Sequence, residues 1–335
     1  MSDFAENKWR FSSEEILYQA SKCNVPNELV TELEKFLMFA NSNESSLRYF
    51  WDYYKKLFLS DKLIIPIEKV LNIEIPNLFE KNSPGLFATV IFLAAARNFE
   101  EYLKRENLLN TEFGFLDSYY KNVRRLMDMN YARDNTYAFI RLYEYLYGYA
   151  KPLILKIGRF AYELIQYEND LYDVYEKDGE RIFLKKTEIE RQNDLSGWDK
   201  VLSDGDYVIT MHIPGNEKLT KEIIENSLKK AVPILKDKFK KYNPKKLVCT
   251  SWLLSPQLQS FLKEESNILR FQSYYDIAIW HPNDNSFYEH VFCSPIVPPD
   301  KLVPKNNFQQ SVLDIYLNGG RLHDGFGIIK PEWQI

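Results

Sequence analysis

The segment DYVITMHIPG at residues 206–215 decides the fold. It reads as a strand that ends at Pro214-Gly215, a pair that punctuates strand-to-helix connections. From about Thr220 to Lys240, Ile223, Ile224, Leu228, Val232 and Leu235 fall on one side of an amphipathic helix. After Pro244, LVCTSWLL at 247–254 is an almost continuous apolar run, as expected of a strand buried on both faces. A strand, helix, strand crossover thus sits at the centre of a mixed α/β unit.

Upstream, GRFAYELIQYEN at 158–169 alternates Phe160, Tyr162 and Leu164; a turn at Asp178-Gly179 and then RIFLKK at 181–186 complete a hairpin signal. Downstream come a short helix from Pro256 to Leu262 and NILRFQSYYDIAIW at 267–280, read as a strand that places Asn267, Arg270 and Gln272 near one face. SFYEHVFC at 286–293 reads as its partner strand, flanked by His281 and His290. A Pro-rich connector leads to a last helix at about 308–318, and GGRLHDGFG reads as a C-terminal turn with Arg321, His323 and Asp324 exposed.

Residues 1–152 are poor in glycine and carry helical period almost throughout. Ser12 or Ser13 with Glu14 and Glu15 caps a first helix, and Pro26 opens a second through Leu29, Leu33, Phe36, Leu37 and Ala40. Further helical segments are expected at about 44–59, 84–106, 112–131 and 134–151. The expected architecture is α+β with two domains. An all-α helical domain occupies 1–152, and a mixed α/β domain with a central, mostly antiparallel sheet occupies 153–335.

Composition narrows the function. The 335 residues are 45% hydrophobic, enough to bury a core in each half. Lys plus Arg number 43 against 47 Asp plus Glu, with no dense basic stripe, which argues against nucleic acid as a partner. Cys23, Cys249 and Cys293 are far apart and form no CxxC pair, so neither a metal site nor a redox couple is expected. The start MSDFAE lacks a signal-peptide pattern, and the longest apolar run, Leu86 to Ala96, falls short of the roughly 20 residues of a membrane span. A cytoplasmic setting and a buried helix are the expectations.

HIPG at 212–215, TSWLLSPQL at 250–258, SNILRFQ at 266–272 and LNGGRLHDGFG at 317–327 carry a resemblance. The chain resembles acyltransferase domain-containing proteins that join an N-acyltransferase N-terminal helical domain to a GNAT-like C-terminal domain. The resemblance implies transfer of an acyl group from acetyl-CoA or another acyl-CoA to a small-molecule or peptide acceptor, an amine attacking the thioester directly with help from a base.

The donor site implied is the start of the helix after the central strand, where free N–H groups and the helix dipole favour phosphate. Here that place spans Ile213 to Thr220: Gly215 allows close backbone approach, and Asn216 or Thr220 caps the helix. The usual loop signature (Gln or Arg, two spacers, Gly, any residue, Gly or Ala) is absent, and a plain turn at Pro214-Gly215 is the competing reading. His212, at the end of the central strand, is the candidate base; a hydrogen-bonded structural histidine is the alternative. Ser251 and Trp252 are expected on the facing strand, as a donor and an apolar wall. Either Tyr274 or Tyr275 would return a proton to the thiolate, since neighbours on a strand point to opposite faces. The competing function is an inactive scaffold that binds a partner. HExxH, GxSxG and dinucleotide fingerprints are absent.

Overall fold

The computed structural model describes residues 3–59, 83–139, 144–168, 172–187, 195–215, 217–284 and 286–334. The chain divides into two compact units, Met1–Lys156 and Ile157–Ile335.

Up to Ala150 the first unit is helical among the described residues: α1 (Asp3–Asn7), α2 (Ser13–Lys22), α3 (Asn27–Asn41), α4 (Glu44–Tyr54), α5 (Ser83–Arg105), α6 (Phe115–Asp134) and α7 (Glu144–Ala150). The Ser12 hydroxyl accepts from Glu15 N at 3.2 Å and starts α2, and Pro26 stands at the cap of α3. Helix α5 buries everything from Phe87 to Ala96, as an apolar run too short for a membrane should. Thr89 is tolerated inside it because its hydroxyl donates to Gly85 O and accepts from Phe139 N. Phe50 stacks on Phe87 at 4.8 Å and on Phe11 at 5.5 Å, joining α4, α5 and the N-terminal segment. The helix expected over 134–151 starts later. Asn135, at φ 55°, ends α6, residues 135–139 are not helical, and 140–143 lie outside the described residues.

From Ile154 on, the chain forms a six-stranded sheet in the order β1-β2-β6-β7-β9-β8 and a three-stranded sheet in the order β4-β3-β5. The strands are β1 (Ile154–Ile157), β2 (Phe160–Gln166), β3 (Tyr172–Lys177), β4 (Glu180–Lys185), β5 (Asp199–Leu202), β6 (Tyr207–His212), β7 (Leu247–Ser251), β8 (Tyr275–Pro282) and β9 (His323–Ile329). Helix α8 (Lys221–Lys238) makes the crossover between the parallel β6 and β7; α9 (Asn267–Gln272) and α10 (Asn307–Leu317) follow. The pairings β2–β6, β7–β9 and β8–β9 are antiparallel. Val208, Val248, Phe326 and Ile328 form a core with Val174 and Leu202, so the small sheet covers one face of the large one.

Several sequence expectations change. Strand β2 pairs with β6; the hairpin at Asp178-Gly179 joins β3 to β4, both turn residues having positive φ. Residues 267–272 are a helix rather than a strand. Ser266 caps it through Leu269 N, and Arg270 bonds Asn267 one turn away, so the proposed strand face does not exist. Residues 286–292 form a π-helix, whose Phe287, Val291 and Phe292 pack with α10, instead of a strand. The ending GGRLHDGFG is no surface turn: it enters β9, where Asp324 is buried and accepts from Asn283 and Ser286. The two glycines within β9 mark close approach, since a Cβ on Gly325 would lie 2.0 Å from Leu254 O and one on Gly327 2.8 Å from Leu254 Cδ1.

Candidate active site

Strands β6 and β7 pair only at Ile209↔Leu247 and Thr210↔Val248. Beyond that point each keeps its outer partner, His212 opposite Ala161 on β2 and Ser251 opposite Gly325 on β9, but the two are no longer paired with each other. The sheet therefore splays at the C-terminal ends of its two central parallel strands, where open α/β sheets place ligands.

The pleat decides what faces this opening. Glu163, Thr210 and His212 share one face with Val248 and Thr250; Tyr162, Met211, Cys249 and Ser251 share the other. On the second face the Tyr275 hydroxyl reaches Met211 Sδ at 3.6 Å, passing over Gly327, where a Cβ would meet Tyr275 Cδ1 at 2.9 Å. The buried Tyr162 hydroxyl has no hydrogen-bond partner among the described residues, and burial pushes its proton affinity up. That face is closed by aromatic packing. The first face is covered by the small sheet at Val208 and Val248 but open at the strand ends: Thr250 is exposed, and the side chains of His212 and Glu163 are 38% and 24% exposed.

His212 Nε2 lies 2.7 Å from Glu163 Oε2. The two are diagonal cross-strand neighbours, because Ala161 opposes His212 and Glu163 opposes Thr210. The contact places the carboxylate against Nε2 and so fixes the orientation of the ring. His212 and Glu163 are thus held on a strand pair rather than on loops.

The loop after β6 leads to α8. Thr220 caps the helix, its hydroxyl accepting from Ile223 N and its carbonyl from Ile224 N. Gly215 is exposed, and an added Cβ there would touch nothing within 4 Å. Ile213 is half-buried between His212 and Pro214, and Asn216 lies outside the described residues. From the β1–β2 turn, Arg159 enters behind this loop: Nε and Nη2 donate to Lys218 O at 3.2 Å and Glu217 O at 3.0 Å. Sequence reasoning missed Glu163, which lies on strand β2, and Arg159, in the turn just before it, since it misassigned the partner of β2.

The other sequence candidates are placed apart from His212. Ser251 lies on the opposite face and caps a 3-10 turn, accepting from Leu253 N. Trp252 belongs to that turn and packs on Phe308 at 5.9 Å. The Tyr274 hydroxyl donates to Glu225 of α8; burial, then Glu225, pushes its pKa up to about 12, which makes it a poor acid. Tyr275, not Tyr274, is the phenol nearer the splay. A cavity of about 710 Å³ lies beside β8 and is lined by Arg181, Phe183, Gln272, Tyr275, Asp276 and Lys330, among others. It sits at the sheet edge, away from β6. Among the described residues no acidic, His or Cys cluster is suited to a metal ion, and no helix is long and apolar enough to cross a membrane.

A family model described as a GNAT-like C-terminal domain matches residues 154–329. None of the curated proteins matches this chain. A crystal structure of an acyltransferase in complex with decanoyl-CoA is similar over 95% of this chain and 88% of its own, with a TM-score of 0.62 and 18% identity. An acyltransferase in complex with decanoyl-CoA and teicoplanin has the same coverage, with a TM-score of 0.61 and 16% identity. Another, with CoA and 10C-teicoplanin, covers 75% of this chain and 68% of its own, with a TM-score of 0.54 and 17% identity. At these identities the likeness is one of fold.

Proposed function

Because this chain belongs to the family of the GNAT-like C-terminal domain, we propose that it is an acyl-CoA acyltransferase acting on an amine. The observation that carries the reading is the splay of β6 from β7 with His212 and Glu163 on its open face. Acyl-CoA is the donor, its diphosphate lying along the loop that leads from Ile213 and Gly215 to Thr220 at the start of α8. The acyltransferases of similar fold hold decanoyl-CoA, which favours a donor longer than acetyl-CoA. The presence of teicoplanin, a glycopeptide, with one of them is compatible with an amine on a peptide-like acceptor.

His212 takes the proton from the attacking amine at Nδ1, while Glu163 holds Nε2–H and balances the imidazolium. The nitrogen adds to the thioester carbonyl, the C–S bond breaks, and the imidazolium proton passes to the departing thiolate. The products are an N-acylated acceptor and CoA. Tyr274 has no part in this account, since its phenol is committed to Glu225. Thr250, exposed on the same face as His212, borders the acceptor's approach.

One observation favours the inactive-scaffold reading: the contact between Met211 and Tyr275 closes one face of the splay. Calorimetric titration of the full chain with CoA, acetyl-CoA and octanoyl-CoA, repeated on Gly215→Glu, separates the two. The new carboxylate enters open space and repels phosphate, so binding should weaken about tenfold or more without loss of fold. Absence of binding by any CoA species to the unsubstituted chain would remove the donor site from the account.

A further inference from the structure

Arg159 is 4% exposed yet makes no ion pair among the described residues. Its guanidinium meets two carbonyl oxygens, those of Glu217 and Lys218, while Nη1 is buried with no hydrogen-bond partner among the described residues. Burial pulls its proton affinity below the ordinary value, against which Glu217 acts at longer range. A buried cation whose hydrogen bonds go only to neutral carbonyls is costly, and a nearby anion relieves that cost.

The position of Arg159 is fixed from the opposite side. Its backbone N–H donates to the Ser227 hydroxyl at 2.8 Å, and that hydroxyl donates to Ile223 O in the first turn of α8. Gly158 adopts φ +60°, and a Cβ there would lie 2.6 Å from Ser227 Oγ. The Gly158-Arg159 pair is therefore wedged between the start of α8 and the loop before it.

The consequence follows from the planarity of the trans peptide, in which C=O and the next N–H point in opposite directions. Drawing the carbonyls of Glu217 and Lys218 toward Arg159 turns the N–H groups of Lys218 and Leu219 away from it. Neither N–H has a backbone or side-chain acceptor among the described residues, and the first N–H groups of α8, at Lys221 and Glu222, follow directly. Successive amides aimed outward form a concave anion site.

We infer that Arg159 is the positioning residue that shapes residues 217–222 to receive the diphosphate of the donor, acting through the loop's carbonyls from behind. This rests on the acyl-CoA reading above. The arginine supplies positive charge behind a loop that carries no cation of the usual signature, and it does so from the β1–β2 turn.

The test compares CoA with pantetheine, which has the thiol arm and no phosphate. Calorimetry on the full chain, Arg159→Lys and Arg159→Ala should show CoA binding weakened about tenfold or more in the alanine variant and less in the lysine variant. Pantetheine binding, measured by competition, should stay within about twofold. Equal losses for CoA and pantetheine would make Arg159 a purely structural residue, and unchanged CoA binding in both variants would overturn the inference while leaving the donor site standing. Failure of the unsubstituted chain to bind CoA would overturn both. If Arg159→Ala does not fold, Arg159→Lys alone decides, because it keeps the charge and loses the paired carbonyl contacts.

Discussion

Glu163 reaches diagonally across the β2–β6 boundary to His212, 2.7 Å between Oε2 and Nε2, on the face of the splay that is open at the strand ends. A strand-borne carboxylate oriented this way selects the tautomer of the ring. Glu163→Gln should keep the fold, lower the turnover number by about tenfold or more, and leave acyl-CoA affinity unchanged. Nitrogen-15 spectra of His212 give an independent reading: a protonated Nε2 in the parent and a mixed tautomer population in the variant. Identical spectra in both proteins would mean that Glu163 does not orient the ring.

Gly158→Ala tests the wedge between the β1–β2 turn and α8. The substitution meets both a left-handed φ of +60° and a contact 2.6 Å from Ser227 Oγ. A loss of about 2 kcal/mol or more is expected, seen as a fall of several degrees in the thermal midpoint. Adding Ser227→Ala should recover only part of it, since the backbone strain remains and the hydroxyl's two hydrogen bonds are gone.

Acid sensitivity should centre in part on Glu176. Burial alone would raise its pKa, but hydrogen bonds from Arg181 at 2.8 Å and Lys246 at 3.1 Å outweigh that and hold it below the usual carboxylate range. A depressed folded-state pKa contributes stability that is fully present above the unfolded value, about 4.3, and is lost as pH falls through the folded value. Glu176→Gln should therefore lower the midpoint at pH 7 and narrow its gap to the parent at about pH 3. A gap that stays constant over that range would exclude this carboxylate as a source of acid sensitivity. Arg181, whose side chain is only 1% exposed, keeps Asp276 as a partner in the variant.

The sequence made some of this legible and concealed the rest for identifiable reasons. The β6–α8–β7 crossover was readable because its apolar run, Pro214-Gly215 and Thr220 each carry a local signal. His212 could be placed at a strand end by the same signals. Glu163 and Arg159 could not be placed, because their roles depend on β2 pairing with a strand some 45 residues later, and no local pattern specifies a long-range partner. Residues 286–292 misled because a run rich in aromatic residues fits a strand and a buried helix equally well. The glycines of β9 read as a turn when they mark close approach of Leu254 and Tyr275. Ser251 failed as a partner of His212 through pleat parity alone: one position decides the face.

The most direct test of the central claim is acyl transfer itself: octanoyl-CoA with a panel of amines and amine-bearing glycopeptides, following free CoA thiol and the acylated product by mass. The account predicts amine-dependent thiol release in step with N-acylated product, lowered about a hundredfold or more in His212→Ala with CoA binding intact. Octanoyl-CoA that binds without any amine-dependent thiol release would contradict it and leave the molecule an acyl-CoA-binding scaffold.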